Sequence, residues 1–338
     1  MTNKQEANKK AHCATKKFDN HEPFTINFVK TWWWYQRRKV LEPKGGYEAF
    51  NQTWCEPIDL TLSDDRVWWI GHSTNLIRLN DKMILTDPIF SKRASPSQLS
   101  GPKRHNPPAL TIEQLPNIDF VMISHNHYDH LDDYSIHQLV KRFPEVVLVV
   151  PLGLKDKLLK WGAKQVFELN WYDAITFDSL TFTATPARHW SNRGLFDINK
   201  TLWCGWIVQA NADIPNKTKT VYFMGDTGYS PRLKEIGLRF TCIDLALIPI
   251  GAYAPRRLLQ SQHIDPAQAV QLYDELNCHE AIAIHWGTFE LSDESLDEPA
   301  QQLCEHRADR HFHLLKIGGS LAINHHDSGL EYLLNSEF

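Results

Sequence analysis

One short stretch of this 338-residue chain carries four side chains that commonly bind metal ions. The stretch is SHNHYDHLD, residues 124–132, and the four side chains are His125, His127, Asp129 and His130. Imidazole and carboxylate groups are the ligands that suit Zn²⁺. Four such groups this close together would leave charge and lone pairs unsatisfied if no cation lay among them. The pattern therefore predicts a metal site, and the alternative is a histidine-rich surface turn.

Three more candidate ligands follow apolar runs further along the chain. His189 ends LTFTATPARH, Asp226 ends TVYFMGD and His285 ends AIAIH. Each alone is more often a structural residue, but together they complete two ligand sets joined by one carboxylate. The sets are His125, His127 and His189 for one ion and Asp129, His130 and His285 for the other, with Asp226 spanning both. We expect two Zn²⁺ per chain, although Mn²⁺ or Fe²⁺ also suits these ligands. Room for a shared solvent ligand is typical of a catalytic metal centre.

The segments that position these groups have the pattern of buried strands. FVMISH and VVLVVP are continuous apolar runs, as in strands covered on both faces. VWWIGHS and MILTDP are predicted to be early strands joined by a turn at Asn80-Asp81. Helices are predicted in DDYSIHQLVKRF and after Asp265-Pro266, where Asp is the N-cap and Pro the first helical residue. Two blocks of strands, each followed by helices, predict two mixed sheets packed face to face in a four-layer αββα fold.

The N-terminal 60 residues differ in character from the rest of the chain. We expect an extension at 1–60 and a hydrolase domain at 61–338. The extension begins as a polar, solvated tail up to about Asn20 and continues with an aromatic and basic segment that contains Trp32–Tyr35. This segment either docks its aromatic rings on the domain or contacts an anionic membrane surface.

Charge and hydropathy restrict the partners and the location. The formal net charge of −4 gives no general attraction to nucleic acid, so no nucleic-acid partner is expected. No apolar run reaches the ~18 residues of a membrane span, and the polar start lacks a secretory signal. Six scattered cysteines without a CxxC pair suggest free thiols in a reducing compartment. We therefore expect a cytoplasmic protein with peripheral contact at the inner membrane face.

Several strings resemble a known superfamily. HxHxDH followed by single His, Asp and His residues resembles the metallo-β-lactamase pattern. WIGHST, LTDPIFSKRASPSQLSGPKR, GDTGYS, IPIGAYAPR and QHIDPAQAV are similar to N-acyl-phosphatidylethanolamine-hydrolysing phospholipase D over about residues 66 to 290. The resemblance implies a phosphodiesterase of lipid metabolism that releases an N-acylethanolamine and phosphatidate. It also implies a phospholipid or small phosphodiester substrate and a homodimer.

The resemblance also supports a place for Gln262 and His263 at the active site. His263 is the candidate general acid or phosphate donor, and a hydrogen bond within its own loop is the alternative. Asp129 is expected to orient the nucleophile as well as to bind metal.

Other residues are expected around the metal ligands. Asp87 is expected to support the metal-binding loop from behind, and His72 has either this role or a purely structural one. Tyr128 and Tyr253 are candidates for the entrance. A basic stretch is either a solvated face or a contact for a phosphate headgroup; it comprises Lys92, Arg93, Lys103 and Arg104.

Other functions fit the same metal ligands. The first is a lactonase or another small-molecule phosphodiesterase of the superfamily, for example one that acts on cyclic nucleotides. The second is RNA processing, which the negative net charge disfavours. The third is a non-catalytic, membrane-recruited metal-binding scaffold, which would be expected to lack at least one of the seven ligands.

Overall fold

The computed structural model describes residues 17–24, 26–210 and 218–326. The strands of this part of the chain are β1 (Arg66–Gly71), β2 (Thr74–Leu79), β3 (Lys82–Thr86), β4 (Phe120–Met122), β5 (Val147–Pro151), β6 (Gln165–Leu169), β7 (Ala174–Phe177), β8 (Leu180–Thr185), β9 (Gly205–Ala210), β10 (Lys219–Phe223), β11 (Ile243–Pro249), β12 (Cys278–Ile284), β13 (Phe312–His313) and β14 (Ser320–Ala322). The helices are α1 (Phe28–Arg37), α2 (Gly46–Trp54), α3 (Asp133–Arg142), α4 (Lys155–Lys160), α5 (Lys234–Arg239), α6 (Arg256–Leu259), α7 (Pro266–Leu276) and α8 (Glu298–His306), with 3₁₀ turns at Ile112–Gln114 and Pro231–Leu233.

The strands form two mixed sheets of seven strands each within the described residues. The first has the order β14-β1-β2-β3-β4-β5-β6 and the second β13-β12-β11-β10-β9-β8-β7. Apolar side chains of both sheets form a common core between them. Helices α3 and α4 cover the outer face of the first sheet, and α5, α7 and α8 contribute apolar residues to the core on the side of the second. The predicted four-layer αββα fold is confirmed.

Strand β1 shows why the strands are apolar on both faces. Val67 and Trp69 pack between the sheets with Trp206 of β9. The alternate residues Trp68 and Ile70 pack on the other face, in the apolar cluster that includes α3 and α4. Because successive side chains of a strand point to opposite faces, a sheet covered on both sides needs a continuous apolar run.

The directions of the strands bring six strand ends to one edge of the molecule. β1, β3 and β4 run in one direction in the first sheet. β8, β10 and β12 likewise share a direction in the second sheet. The segments that follow these six strands carry the candidate residues, namely His72, Asp87, 124–132, His189, Asp226 and His285. Backbone hydrogen bonds join the two edges, from the His285 amide to the His72 carbonyl (3.0 Å) and from the Cys204 amide to the Ser124 carbonyl (2.9 Å).

Two details differ from the expectations. The sequence pattern did not predict β2, which lies between the two expected early strands and pairs with both. The turn at Asn80-Asp81 is present, with both residues in the left-handed region (φ 49° and 60°), but it joins β2 to β3.

No disulfide bond joins the cysteines of the described residues, and no helix among them is long and apolar enough to cross a membrane.

The aromatic segment of the extension docks on the domain through Trp34 and Arg38. The Trp34 indole donates to the Asp293 carboxylate at 2.8 Å, and the Arg38 guanidinium donates to the carbonyls of Glu290 (2.7 Å) and Ser292 (3.0 Å). The side chain of Trp32 lies outside the described part of the structure. The side chains of Trp33 and Tyr35 are exposed at the surface.

Candidate metal centre

The metal-binding motif lies in a loop rather than on a strand. β4 was expected to continue to His125, but it ends at Met122. The chain then turns, and the amides of His130 and Leu131 both donate to the His127 carbonyl (3.1 and 2.9 Å). This turn folds the motif back on itself and brings its side chains to two neighbouring points.

The first group consists of three imidazoles. His127 Nδ1 lies 2.8 Å from His125 Nε2 and 3.2 Å from His189 Nε2. His125 and His189 are at most 1% exposed. Their inward nitrogen atoms all lie within 4.8 Å of one another, a separation at which one ion could contact all three.

The second group contains one carboxylate and three imidazoles. Asp129 Oδ2 lies 3.2 Å from His130 Nε2, 3.4 Å from His285 Nε2 and 3.0 Å from His72 Nε2. His72 was expected either to support the ligands from behind or to be purely structural, yet its imidazole offers a nitrogen within 4.8 Å of the other ligand atoms of the group. The structure therefore brings together four ligand-type side chains here, where the sequence predicted three.

Asp226 lies between the two groups. Its Oδ2 is 3.1 Å from His130 Nε2 and 3.8 Å from His189 Nε2, and its Oδ1 is 3.1 Å from His285 Nε2. The preceding Gly225 has φ 64°, and a Cβ there would meet the Cβ of Ser124 at 2.8 Å. A glycine at this position lets the loop that carries Asp226 approach the motif loop closely.

The outer nitrogen atoms of three imidazoles have fixed hydrogen-bond partners. These pairs are His125 Nδ1 with Ser124 Oγ (2.9 Å), His130 Nδ1 with Asp87 Oδ2 (2.6 Å) and His189 Nδ1 with the Gln262 carbonyl (2.9 Å). Since a carbonyl or carboxylate only accepts, the outer nitrogens of His130 and His189 carry the protons. Their Nε2 atoms then point inward, as in imidazoles that bind a metal.

At the centre of the first group, ring nitrogen atoms of the three imidazoles point at one another. A single proton can join only two of the three converging nitrogens of His125, His127 and His189, whereas one cation satisfies all three lone pairs. Burial lowers the pKa of His125 well below its ordinary value, that of His127 to about 4 and that of His189 to about 3. These imidazoles are therefore neutral at pH 7, the form that binds metal. The donor set fits a metal ion.

The second group attracts positive charge. Burial alone would lower the pKa of His130, but the carboxylates of Asp226, Asp129 and Asp87 raise it well above its ordinary value. Burial is likewise outweighed at His285, where Asp226 and Asp129 raise the pKa to about 9. A bound cation would balance the charge of these buried carboxylates.

His263 and Gln262 both reach the site, but they face it differently. His263 Nδ1 lies 3.7 Å from Asp226 Oδ2, and its side chain is 15% exposed, against 2% for Asp226. It therefore lies on the more open side of the group. Gln262 is buried, its side-chain oxygen accepts from the Trp190 indole (2.6 Å) and its carbonyl accepts from His189. These contacts place Gln262 behind His189.

The other predicted site residues have structural contacts. The Tyr128 hydroxyl donates to the Arg193 carbonyl (3.0 Å), and the Arg193 guanidinium lies over its ring. Tyr253 is buried, and its hydroxyl donates to Glu298 (2.8 Å). In the basic stretch, Arg104 donates to carbonyls of the segment that follows β3.

Two features of the site escaped the sequence analysis. His72, Asp87 and His285 have left-handed backbones (φ 54°, 35° and 61°), a costly conformation that clusters at functional sites. Asn20, expected to end a solvated tail, is instead buried and hydrogen-bonded to the backbone of His189. For Asn20 the expectation was wrong, and no local signal could reveal a contact across 169 positions; residues 1–16 of the expected tail lie outside the described part of the structure.

Comparison with known proteins agrees with this geometry. The family "Beta-lactamase superfamily domain" matches residues 82–286. The chain is 39% identical over 252 residues to N-acyl-phosphatidylethanolamine-hydrolyzing phospholipase D 1 of Caenorhabditis elegans, covering 70% of this chain and 68% of that protein. It is 35% identical over 244 residues to the mitochondrial N-acyl-phosphatidylethanolamine-hydrolyzing phospholipase D of Saccharomyces cerevisiae, covering 70% of this chain and 50% of that protein.

A solved structure shares the fold. The metallo-hydrolase Igni18 of Ignicoccus hospitalis superposes with a TM-score of 0.59 at 22% sequence identity, covering 78% of this chain and 99% of that one. The chain therefore belongs to the beta-lactamase superfamily, and it is a metal-dependent hydrolase similar in sequence to the N-acyl-phosphatidylethanolamine-hydrolyzing phospholipases D.

Proposed function

We propose that this chain is a binuclear zinc-dependent phosphodiesterase that hydrolyses N-acyl-phosphatidylethanolamine to an N-acylethanolamine and phosphatidate. The observation that carries the proposal is the position of Asp226 between two groups of ligand-type side chains. The substrate rests on the names of the two relatives, both of which are phospholipases D of this specificity.

The ligand assignment follows the two groups, except that His72 is taken as a hydrogen-bond partner of Asp129 and not as a ligand. His125, His127 and His189 would hold one zinc ion, Asp129, His130 and His285 would hold the other, and Asp226 would contact both. Bound zinc supplies Lewis-acid chemistry, which lowers the pKa of solvent and offsets negative charge on a phosphodiester.

The surrounding residues orient the reacting groups. The His72 imidazole is in hydrogen-bonding distance of Asp129 Oδ2 (3.0 Å) and fixes the direction of that carboxylate. Asp87 and Gln262 fix the rings of His130 and His189. His263, on the more open side, would donate a hydrogen bond to a phosphate oxygen. Burial lowers its pKa to about 3, and a neutral imidazole suits this role better than that of a general acid.

A groove beside α1 supports peripheral contact with a membrane. It has a volume of about 950 Å³, and several of its lining side chains are cationic or aromatic: Lys30, Trp33, Arg37, Lys39 and Arg257. Asp293 also lines the groove, and its carboxylate accepts a hydrogen bond from the Trp34 indole. Cations beside interfacial aromatic rings favour anionic headgroups. We call these five residues the cationic groove.

A second surface supports the same contact. Leu195 and Phe196 are 87% and 85% exposed, in the segment between His189 and β9. Arg193 anchors this segment to the motif loop, since its guanidinium donates to the carbonyls of Asn126 and Leu131. The apolar pair is thus presented to solvent close to the metal centre.

The proposal is tested by turnover of three substrates on one preparation of known metal content. N-acyl-phosphatidylethanolamine in mixed vesicles should be cleaved most efficiently, bis(p-nitrophenyl) phosphate slowly and a simple lactone not at all. Rapid lactone hydrolysis without phosphodiester cleavage would exclude the proposal.

Variants assign the activity to the metal centre. His125→Ala and Asp226→Asn should lose zinc and turnover while the fold is kept. Asp119→Asn is the matched control, since Asp119 accepts from the Met83 amide (2.8 Å) at the other end of the β3–β4 pair. Full turnover by Asp226→Asn would contradict the assignment.

A further inference from the structure

The backbone of His189 is held by a side chain from the N-terminal extension. Asn20 Nδ2 donates to the His189 carbonyl at 2.8 Å, and the His189 amide donates to Asn20 Oδ1 at 3.0 Å. One asparagine side chain thus pairs with both backbone groups of a single residue, as a neighbouring strand would. Asn20 is 5% exposed, so this pair is shielded from competing water.

His189 needs such a partner because it lies outside the sheet. β8 ends at Thr185 and β9 begins at Gly205, with no strand or helix between them. A strand ladder therefore does not fix the backbone of His189. Asn20 supplies this constraint, while the Gln262 carbonyl fixes the ring through Nδ1 (2.9 Å).

The chain on both sides of Asn20 is anchored to the same region. The Phe18 amide donates to the Asn199 carbonyl (2.8 Å). The guanidinium of Arg188, the residue before His189, donates to the Pro23 carbonyl (2.9 Å). Asn20 is therefore held in place by contacts other than its own pairing with His189.

We propose that Asn20 is a positioning residue of the metal centre, which fixes His189 so that its Nε2 faces the first ion. The N-terminal segment would then complete the site, although it lies outside the stretch matched by the superfamily (82–286). This inference rests on the proposed zinc-dependent function.

The test measures zinc affinity and hydrogen exchange in Asn20→Ala of the full chain. The dissociation constant for Zn²⁺ should rise about 10- to 100-fold, the usual cost of losing a group that orients a ligand. The His189 amide should exchange faster, and turnover of bis(p-nitrophenyl) phosphate should recover at excess zinc. Asp19→Ala is the matched control, because Asp19 is exposed and its carboxylate pairs with the amide and imidazole of His21.

A second variant covers the case in which Asn20→Ala does not fold. Asn20→Asp keeps the oxygen that accepts from the His189 amide but sets a carboxylate oxygen against the His189 carbonyl, so zinc affinity should again fall. Zinc affinity equal to that of the wild type in the folded variant would overturn the inference and leave the proposed function intact. A wild-type chain that binds no zinc would overturn both.

Discussion

Asp87 offers a sharp test of how the metal centre is supported. Its fully buried carboxylate accepts from the Ser124 amide (2.7 Å), the Ser124 hydroxyl and His130 Nδ1 (2.6 Å). In Asp87→Asn, the side chain keeps its shape, but an NH₂ group replaces one of the two carboxylate oxygens. If the remaining oxygen still accepts from the Ser124 amide, the new NH₂ group faces the Nδ1–H of His130, which is also a donor. His130 must then lose its acceptor or move its proton to Nε2, the atom that would bind zinc.

The size of the effect follows from this single lost contact. A hydrogen bond to a charged group contributes about 1.5–3 kcal/mol. At about 1.4 kcal/mol per factor of ten, that corresponds to a loss of zinc affinity of roughly 10- to 100-fold, the range found for groups that orient metal ligands. We expect a loss of this size in Asp87→Asn, with turnover restored in part by excess zinc.

The assay is competition for Zn²⁺ with a chelator, together with urea unfolding of the metal-free chain. Asp244→Asn is the control, because Asp244 is equally buried and accepts from the amides of Thr220 and His326 (both 2.7 Å) at the opposite end of its sheet. It should lose stability but not zinc affinity. Equal zinc affinity in wild type and Asp87→Asn would refute the reasoning.

Three further predictions concern separate parts of the molecule. His263→Ala should lower kcat about 10²-fold with both zinc ions retained; lost zinc would instead make His263 a ligand. Replacing Arg37 and Arg257 of the cationic groove by Ala should weaken binding to anionic vesicles by about 1 kcal/mol per cation, measured by sedimentation, without slowing bis(p-nitrophenyl) phosphate turnover. Leu76→Ala, at a fully buried core position, should cost about 2–5 kcal/mol in urea unfolding at unchanged zinc stoichiometry; a smaller loss would mean that the core relaxes around the gap.

The convergence of the candidate ligands was predictable because it follows from strand direction. His189, Asp226 and His285 each come after an apolar run, and the strands before them share a direction. Carboxyl ends of such strands lie at the same edge of a sheet. Local sequence pattern and one general rule therefore suffice to bring these residues together.

Other features depend on contacts that no local pattern records. β2 begins with polar residues and contains Asn75, which is fully buried because its amide donates to the Ser73 carbonyl and to Thr86. The residues before Asn20 in the sequence are those of a polar, solvated tail, yet Asn20 is buried and pairs with the backbone of His189. In both cases the side-chain amide donates to a group that neighbouring residues in the sequence do not reveal, Thr86 for Asn75 and the His189 carbonyl for Asn20, which offsets part of the cost of removing it from water.

The number of zinc ions per folded chain, counted by native mass spectrometry on protein purified without chelators, tests the central claim most directly. The arrangement of the seven ligand side chains, with Asp226 between the other six, predicts two ions in the wild-type chain. A folded chain saturated with a single zinc ion, or one that holds none, would contradict it.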